Sequence, residues 1–200
     1  KHNVIGWMMS EKLDGVRAIW DGKDFWSRNL KAITAPAWFK SKMPGNMILD
    51  GELWAGRGNF QDLISIVRKH NPIDREWEFI VYKAFDCPEI KGLFSDRLMR
   101  IPILHRHIHV SIGSASHLQN CFETIIANGG EGLMLKNANC QYEQGRSHNL
   151  LKLKPELTGL AIVIGCEAGL GKYVGEIGSL ICMADGMSQF NVGSGLMDDQ

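Results

Sequence analysis

The chain has 200 residues, 22 of them Lys or Arg and 22 Asp or Glu, and 44% are hydrophobic. That length suits one domain plus part of another, with enough apolar content for a packed core. No apolar run is long enough to span a membrane as a helix, no low-complexity tract or internal repeat occurs, and the balanced charge gives no overall sign that would advertise a nucleic-acid partner.

In chain order, Val4 to Lys12 and Val16 to Trp20 read as strands joined by a polar turn, Lys12-Leu-Asp-Gly-Val-Arg17. Asp21-Gly22-Lys23-Asp24 reads as a hairpin turn into Phe25-Trp-Ser-Arg28. Ala35 to Met43 and Asn59 to Lys69 read as short helices. Between them, the apolar Met47-Ile48-Leu49 predicts a strand that delivers Asp50-Gly51-Glu52-Leu53-Trp54. Glu78 to Tyr82, leading into Ala84-Phe85-Asp86, predicts another. Ser95 is placed to cap a helix running to about Leu104, and Ser116 to cap a second one. In that second helix Leu118, Cys121, Phe122, Ile125 and Ile126 recur at helical spacing until Gly129 stops it.

Further along, Gly129-Gly-Glu131-Gly132 opens a strand at Leu133-Met-Leu135, and Leu150-Leu-Lys152-Leu-Lys154 alternates, so its two lysines share one face while leucines pack inward. A boundary is expected near Pro155 to Gly159. Three strand-like pieces follow it, Leu160 to Cys166, Gly178 to Met183 and Gln189 to Val192. The five cysteines (Cys87, Cys121, Cys140, Cys166, Cys182) have no metal-type spacing and leave an odd one over, so free thiols packed as small hydrophobes are expected. His105, His107 and His109 alternate without a second ligand cluster beside them, and read as one face of an extended segment and not as a zinc site.

Chemistry concentrates in a few of these places. A lysine attacks a nucleotide phosphate only when deprotonated, so it needs nearby positive charge or desolvation. Lys12 sits in a turn where Gly15 permits close backbone approach, with Asp14 as carboxylate and Arg17 as a fork suited to phosphate. Each later feature has a plain reading. Glu52 and Glu131 would serve as solvated carboxylates at strand edges, Phe85 as core, and Lys152 and Lys154 as the wet face of a half-buried strand.

Taken together and in this order, Glu11-Lys-Leu-Asp-Gly-Val-Arg-Ala-Ile-Trp20, Leu49-Asp-Gly-Glu-Leu-Trp54 with Gly56-Arg-Gly58 after it, Gly130-Glu-Gly-Leu-Met-Leu135 and the lysine strand resemble the ATP-dependent DNA ligases of the covalent nucleotidyltransferase superfamily. The likeness is nearest to their minimal bacterial and viral members. It implies an α+β fold: a nucleotidyltransferase (ATP-grasp-like) domain of antiparallel sheets with helices over residues 1–157, then the start of an OB-fold β-barrel over 158–200. An OB fold needs five strands, so further strands are expected beyond the three read here.

The resemblance also implies a relay. Lys12 takes AMP from ATP, the adenylate passes to the 5′-phosphate of nicked double-stranded DNA, and the neighbouring 3′-hydroxyl seals the nick. Lys12, Asp14, Lys152 and Lys154 would be catalytic, with the two strand lysines gripping the α-phosphate. Glu52 would hold the ribose, Arg17 would contact the ribose or the nick end, Phe85 would stack on adenine, and Glu131 with Glu52 would hold Mg²⁺. Arg28, Arg146 and Ser147 would touch DNA. A monomer without a membrane partner is expected. The first residues show no basic-then-apolar export signal, and the expected place is a bacterial periplasm if such a signal has been removed and the cytoplasm otherwise. The mRNA-capping guanylyltransferases share the lysine motif, the glutamates and the lysine strand but use GTP, and RNA ligases are a further alternative. The Gly-Glu-Leu-Trp and Gly-Arg-Gly-x-Phe segments favour the DNA enzymes. From a different class, a non-catalytic nucleic-acid clamp would need the basic and aromatic residues but no nucleophile.

Overall fold

Alternation of apolar and polar residues builds the first sheet. In a strand, successive side chains point to opposite faces, and Ala18 and Trp20 of β2 (Val16–Trp20) go into the core while Arg17 lies on the other side. The neighbouring β5 (Leu49–Trp54) does the same, burying Leu49 and Leu53 against a face that carries Glu52. The computed structural model describes residues 3–193 apart from 157, 185 and 187. The chain divides into two compact units, Lys1–Pro155 and Glu156–Gln200.

The first unit contains two antiparallel sheets. One has five strands in the order β4 (Ala32–Ile33), β3 (Phe25–Ser27), β2, β5 and β6 (Val81–Asp86). Its register sets Arg17 opposite Glu52, and Glu52 opposite Lys83. The other has four strands in the order β7 (Val110–Ser111), β1 (Met8–Glu11), β8 (Leu133–Lys136) and β9 (Leu150–Leu153), with Glu11 opposite Leu133 and Met134 opposite Lys152.

The larger core joins Trp20, Phe25, Leu53 and Tyr82 of the first sheet to Phe39 of α1 (Ala37–Lys40), Leu63 of α2 (Phe60–Val67) and Trp77 of α3 (Asp74–Trp77). Gly51 is required within it. A Cβ there would lie 2.6 Å from the Lys83 carbonyl oxygen and 2.7 Å from the Tyr82 ring. The smaller core packs Met9, Ile112, Leu133 and Leu135 under Leu118, Phe122 and Ile125 of α5 (Ala115–Ala127).

Several element ends depart from the sequence reading, each for a local reason. The first strand begins only at Met8, because Gly6 takes a left-handed turn at φ +81°. Asp74–Trp77 closes a helical turn, so the next strand starts at Val81 and not at Glu78. The helix α4 (Phe94–Arg100) begins before Ser95, whose amide instead donates to the Ala138 carbonyl, and Pro102 keeps it from reaching Leu104. Ser114, and not Ser116, caps α5, its hydroxyl accepting from the His117 amide at 3.0 Å. Leu150 lies on the lysine side of β9 and is partly exposed, so only Leu151 and Leu153 pack inward.

The second unit is a three-stranded antiparallel sheet of β10 (Ile162–Ala168), β11 (Ile177–Met183) and β12 (Phe190–Val192). It realises the three expected strands, and the described residues form no closed barrel. All five cysteines are free; Cys87, Cys140 and Cys182 are buried as small hydrophobes, whereas Cys166 is exposed. No described helix is long and apolar enough to cross a membrane.

Candidate active site

Lys12 follows β1 directly, and its amide donates to the Gly132 carbonyl at 2.8 Å, tying the turn to the start of β8. Its Nζ then lies 2.5 Å from Glu131 Oε2. Lys154, just past β9, reaches the other oxygen of the same carboxylate. Burial pushes Glu131 upward, but the hydrogen bonds from Lys12 and Lys154 outweigh it and hold the carboxyl below its ordinary range. Two glycines permit this closeness. Gly132 has φ +142°, and a Cβ on it would run into the Leu153 carbonyl. A Cβ on Gly15 would lie 2.5 Å from the Leu53 carbonyl oxygen and 2.6 Å from Glu52 Cγ, so the lysine turn closes onto β5 only without a side chain there.

The lysine opens onto a cleft of about 260 Å³ between the two sheets of the first unit. Along its wall Arg17 makes a two-pronged ion pair with Asp50, Nε to Oδ1 at 2.9 Å and a terminal nitrogen to Oδ2 at 2.6 Å. Asp50 is 1% exposed, and Tyr142 donates to it at 3.2 Å. Hydrogen bonding to Asp50 raises the Arg17 pKa further, so the guanidinium is a permanent charge. Burial, then the Asp50 charge, pushes the Tyr142 hydroxyl up to about 12. The Arg17 guanidinium also sits 5.8 Å from the centre of the Phe85 ring, which faces the cleft.

Glu52 behaves differently from Glu131. Burial pushes it up to about 8, although Lys12 and Arg17 pull the other way. Near neutrality it is mostly protonated, and a carboxylic acid both donates and accepts a hydrogen bond. Mg²⁺ usually keeps several waters and binds one or two carboxylates together with substrate phosphates. The ionised Glu131 suits that pattern, whereas Glu52 would have to lose its proton to join it, and no group of three or more metal-ligating residues occurs among the described residues.

The expected residues separate into those the fold gathers and those it does not. Lys12, Arg17, Glu52, Phe85, Arg28 and Ser147 all line the cleft. Arg28 is exposed there, and Ser147 donates to Glu143. Lys154 reaches the site through Glu131. Lys152 and Arg146 are exposed and outside the cleft lining. Asp14 lines a second, smaller cavity of about 230 Å³ that also includes Lys12, Arg57 and Glu131.

Two groups of cleft residues escaped sequence reasoning. His107 and His109 face the cleft because residues 105–107 pair in parallel with Ala84, with backbone bonds of 2.7 Å on both sides. Burial lowers the pKa of both and takes His109 down to about 4, so the rings are neutral. Lys136 also lines the cleft while bonding Asp86 at 2.5 Å; Asp86 and Arg97, paired at 2.8 Å, are fully buried. The period-two pattern of Leu133 to Lys136 could have placed Lys136 on the face of Met134. Nothing local could have turned the histidines inward.

A family model described as ATP dependent DNA ligase domain matches residues 2–154. Among curated proteins, a DNA ligase of Haemophilus influenzae is 31% identical over 96% of this chain and 74% of its own length. A DNA ligase of Natronomonas pharaonis is 28% identical over 94% of this chain but only 40% of its own length. A solved Lig E DNA ligase, described as binding DNA with a minimal scaffold, superposes with a TM-score of 0.82 at 34% identity, covering all of this chain and 81% of that one. A Chlorella virus DNA ligase-adenylate superposes with a TM-score of 0.64 at 23% identity, covering all of this chain and 84% of that one, which speaks to the fold alone.

Proposed function

The chain belongs to the ATP-dependent DNA ligase family, and from that premise we propose that it seals nicks in duplex DNA by way of AMP carried on Lys12. One observation carries the reading: a single carboxylate, Glu131, holds the amines of both Lys12 and Lys154, and Lys12 lines a cleft whose walls bear a fixed guanidinium and an aromatic ring.

In the first step the Lys12 amine, having lost its proton, forms a bond to the α-phosphorus of ATP. The bond to the bridging oxygen breaks and pyrophosphate leaves with that electron pair. Glu131 is a poor acceptor for the departing proton because two lysines keep its pKa low, so the proton passes to water in the cleft. Its work is to orient the nucleophile. Lys154 brings a second positive charge toward the same place, where the phosphate gathers negative charge. Phe85 offers a stacking face for adenine. Glu52, protonated near neutrality, can both donate to and accept from a ribose hydroxyl. Bound Mg²⁺ would neutralise phosphate charge, with Glu131 as its ionised carboxylate and Glu52 joining only in its deprotonated form.

In the later steps the DNA 5′-phosphate displaces the lysine from AMP, and a 3′-hydroxyl then displaces AMP to join the strands. Arg17, locked by Asp50, is a rigid donor for ribose or a strand end. Arg28, exposed and lining the cleft, would take the 5′-phosphate, and Arg146 and Ser147 the DNA backbone, while Lys152, exposed on the lysine face beside Lys154, keeps with it the assignment to the α-phosphate. Asp14 would orient the lysine turn.

Intact-mass measurement after incubation with Mg²⁺ and either ATP or GTP tests the reading. An AMP adduct from ATP, mapped to Lys12, is expected, followed by sealing of nicked duplex. A GMP adduct would point to the capping enzymes instead. No adduct from either nucleotide would leave a binding role and refute the proposal.

A further inference from the structure

Glu11, the last residue of β1 and the one preceding Lys12, is gripped from two directions. Its carboxylate receives two prongs of the Arg57 guanidinium, Nε to Oε1 at 2.7 Å and a terminal nitrogen to Oε2 at 2.9 Å. The other terminal nitrogen of Arg57 donates to the Asn128 carbonyl, at the C-terminal end of α5, at 2.9 Å. From the opposite side His107 Nε2 lies 2.8 Å from the Glu11 carbonyl oxygen. A carbonyl only accepts, so the neutral ring carries its proton on that nitrogen. Arg57 sits between Gly56 and Gly58, whose φ values of +89° and +76° suit a turn that aims it back at β1. The contact is close on the α5 side as well: a Cβ on Gly130 would come 3.1 Å from Glu11 Oε1 and 2.5 Å from Ile125 Cγ2.

We propose that Arg57 is a positioning residue for Lys12, a role that rests on the lysine chemistry described above. By joining Glu11 to the Asn128 carbonyl, its fork holds the end of β1 against the turn that leads through Gly129 and Gly130 to Glu131. The two ends of the Lys12–Glu131 contact are thereby kept in register, from sequence positions 119 residues apart. A half-exposed ion pair contributes little to global stability. Removing the fork therefore leaves the fold intact and loosens the nucleophile.

The test compares wild type with Arg57→Met and Arg57→Lys in single-turnover adduct formation across ATP concentrations, and in sealing of a nick whose 5′ end is already adenylated. Arg57→Met should slow maximal adduct formation on the order of 100-fold, the cost of misplacing a reacting group by about 1 Å. Half-saturation by ATP should stay within about two-fold, because binding is not what the fork serves. Sealing of the pre-adenylated nick should persist. Arg57→Lys should fall between the two, since an ammonium cannot reproduce the planar fork. Combining Glu11→Gln with Arg57→Met should add little to the single change.

Wild-type charging by Arg57→Met would overturn the proposal while leaving the ligase reading in place. So would a parallel loss of both activities in the two variants, which marks a merely structural residue, or a rise in the ATP requirement at unchanged maximal rate. Failure of the wild-type chain to form any adduct would instead refute the lysine chemistry itself, and this role with it.

Discussion

Replacing Glu52 by Gln should make the protein more stable at alkaline pH by an amount that grows with pH. The Glu52 carboxyl, ordinarily near 4.5, stands at about 8 in the folded chain, chiefly because burial disfavours its charged form. Folding thus favours the protonated acid. The stability contributed is fully present below pH 4.5, declines as pH rises toward 8, and is gone above it. At ~1.36 kcal/mol per pKa unit the full excursion would be about 5 kcal/mol. Between pH 5 and 8 the carboxyl passes through most but not all of that excursion, so about 3.5 kcal/mol is the expected measurable share. Glutamine keeps a neutral side chain of the same shape at every pH. Urea unfolding of the unadenylated protein, followed between pH 5 and 9, would measure the effect. All six tryptophans lie within the first unit, so their fluorescence reports on the part that holds the site. The variant-minus-wild-type difference should climb by ~3.5 kcal/mol between about pH 5 and 8 and then level. A flat difference, or one that falls with pH, would refute the reasoning.

Four other outcomes are expected. Lys12→Arg should form no AMP adduct in the mass assay, because a guanidinium stays protonated and is a poor nucleophile. Asp86→Asn removes the partner of a fully buried Arg97 and should cost ~3–5 kcal/mol in urea unfolding. Gly132→Ala places a Cβ against the Leu153 carbonyl at a backbone angle that side chains avoid, and should lower stability by about 2 kcal/mol or more in the same assay. Binding to nicked duplex should weaken with salt, and Arg28→Ala should reduce the slope of log affinity against log salt by about one, which fluorescence titration would measure.

Much of this protein could be read from its residues in order. The stretch Val16 to Trp20 and the apolar lead Met47-Ile48-Leu49 pointed to two strands of the first sheet, the second of which begins only at Leu49, and helical spacing from Leu118 to Ile126 placed α5. These patterns are legible because backbone periodicity and the water-avoiding face depend on neighbours a few residues away. The lysine turn and its glycines were legible as a candidate site for the same reason. Element ends were less legible. Ser114 and Ser116 are equally good caps as residues, and only the packing of α5 on Met9 and Leu133 selects where its first turn begins.

The arrangement of the site was decided elsewhere. Lys152 and Lys154 have the same parity, yet of the two only Lys154, just past β9, meets Glu131, because it stands beside Gly132. His107 faces the cleft because its backbone pairs with Ala84, and it reaches Glu11 across 96 residues. Arg17 finds Asp50 through the register of β2 on β5, and Arg57 finds Glu11 through a turn between two left-handed glycines. The residues by themselves determined which groups were available for nucleotidyl transfer and which strands would carry them. The tertiary structure decided which charges meet and which carboxyl keeps its proton, because ion pairing and desolvation depend on distances that strand register and burial set between segments remote in the chain.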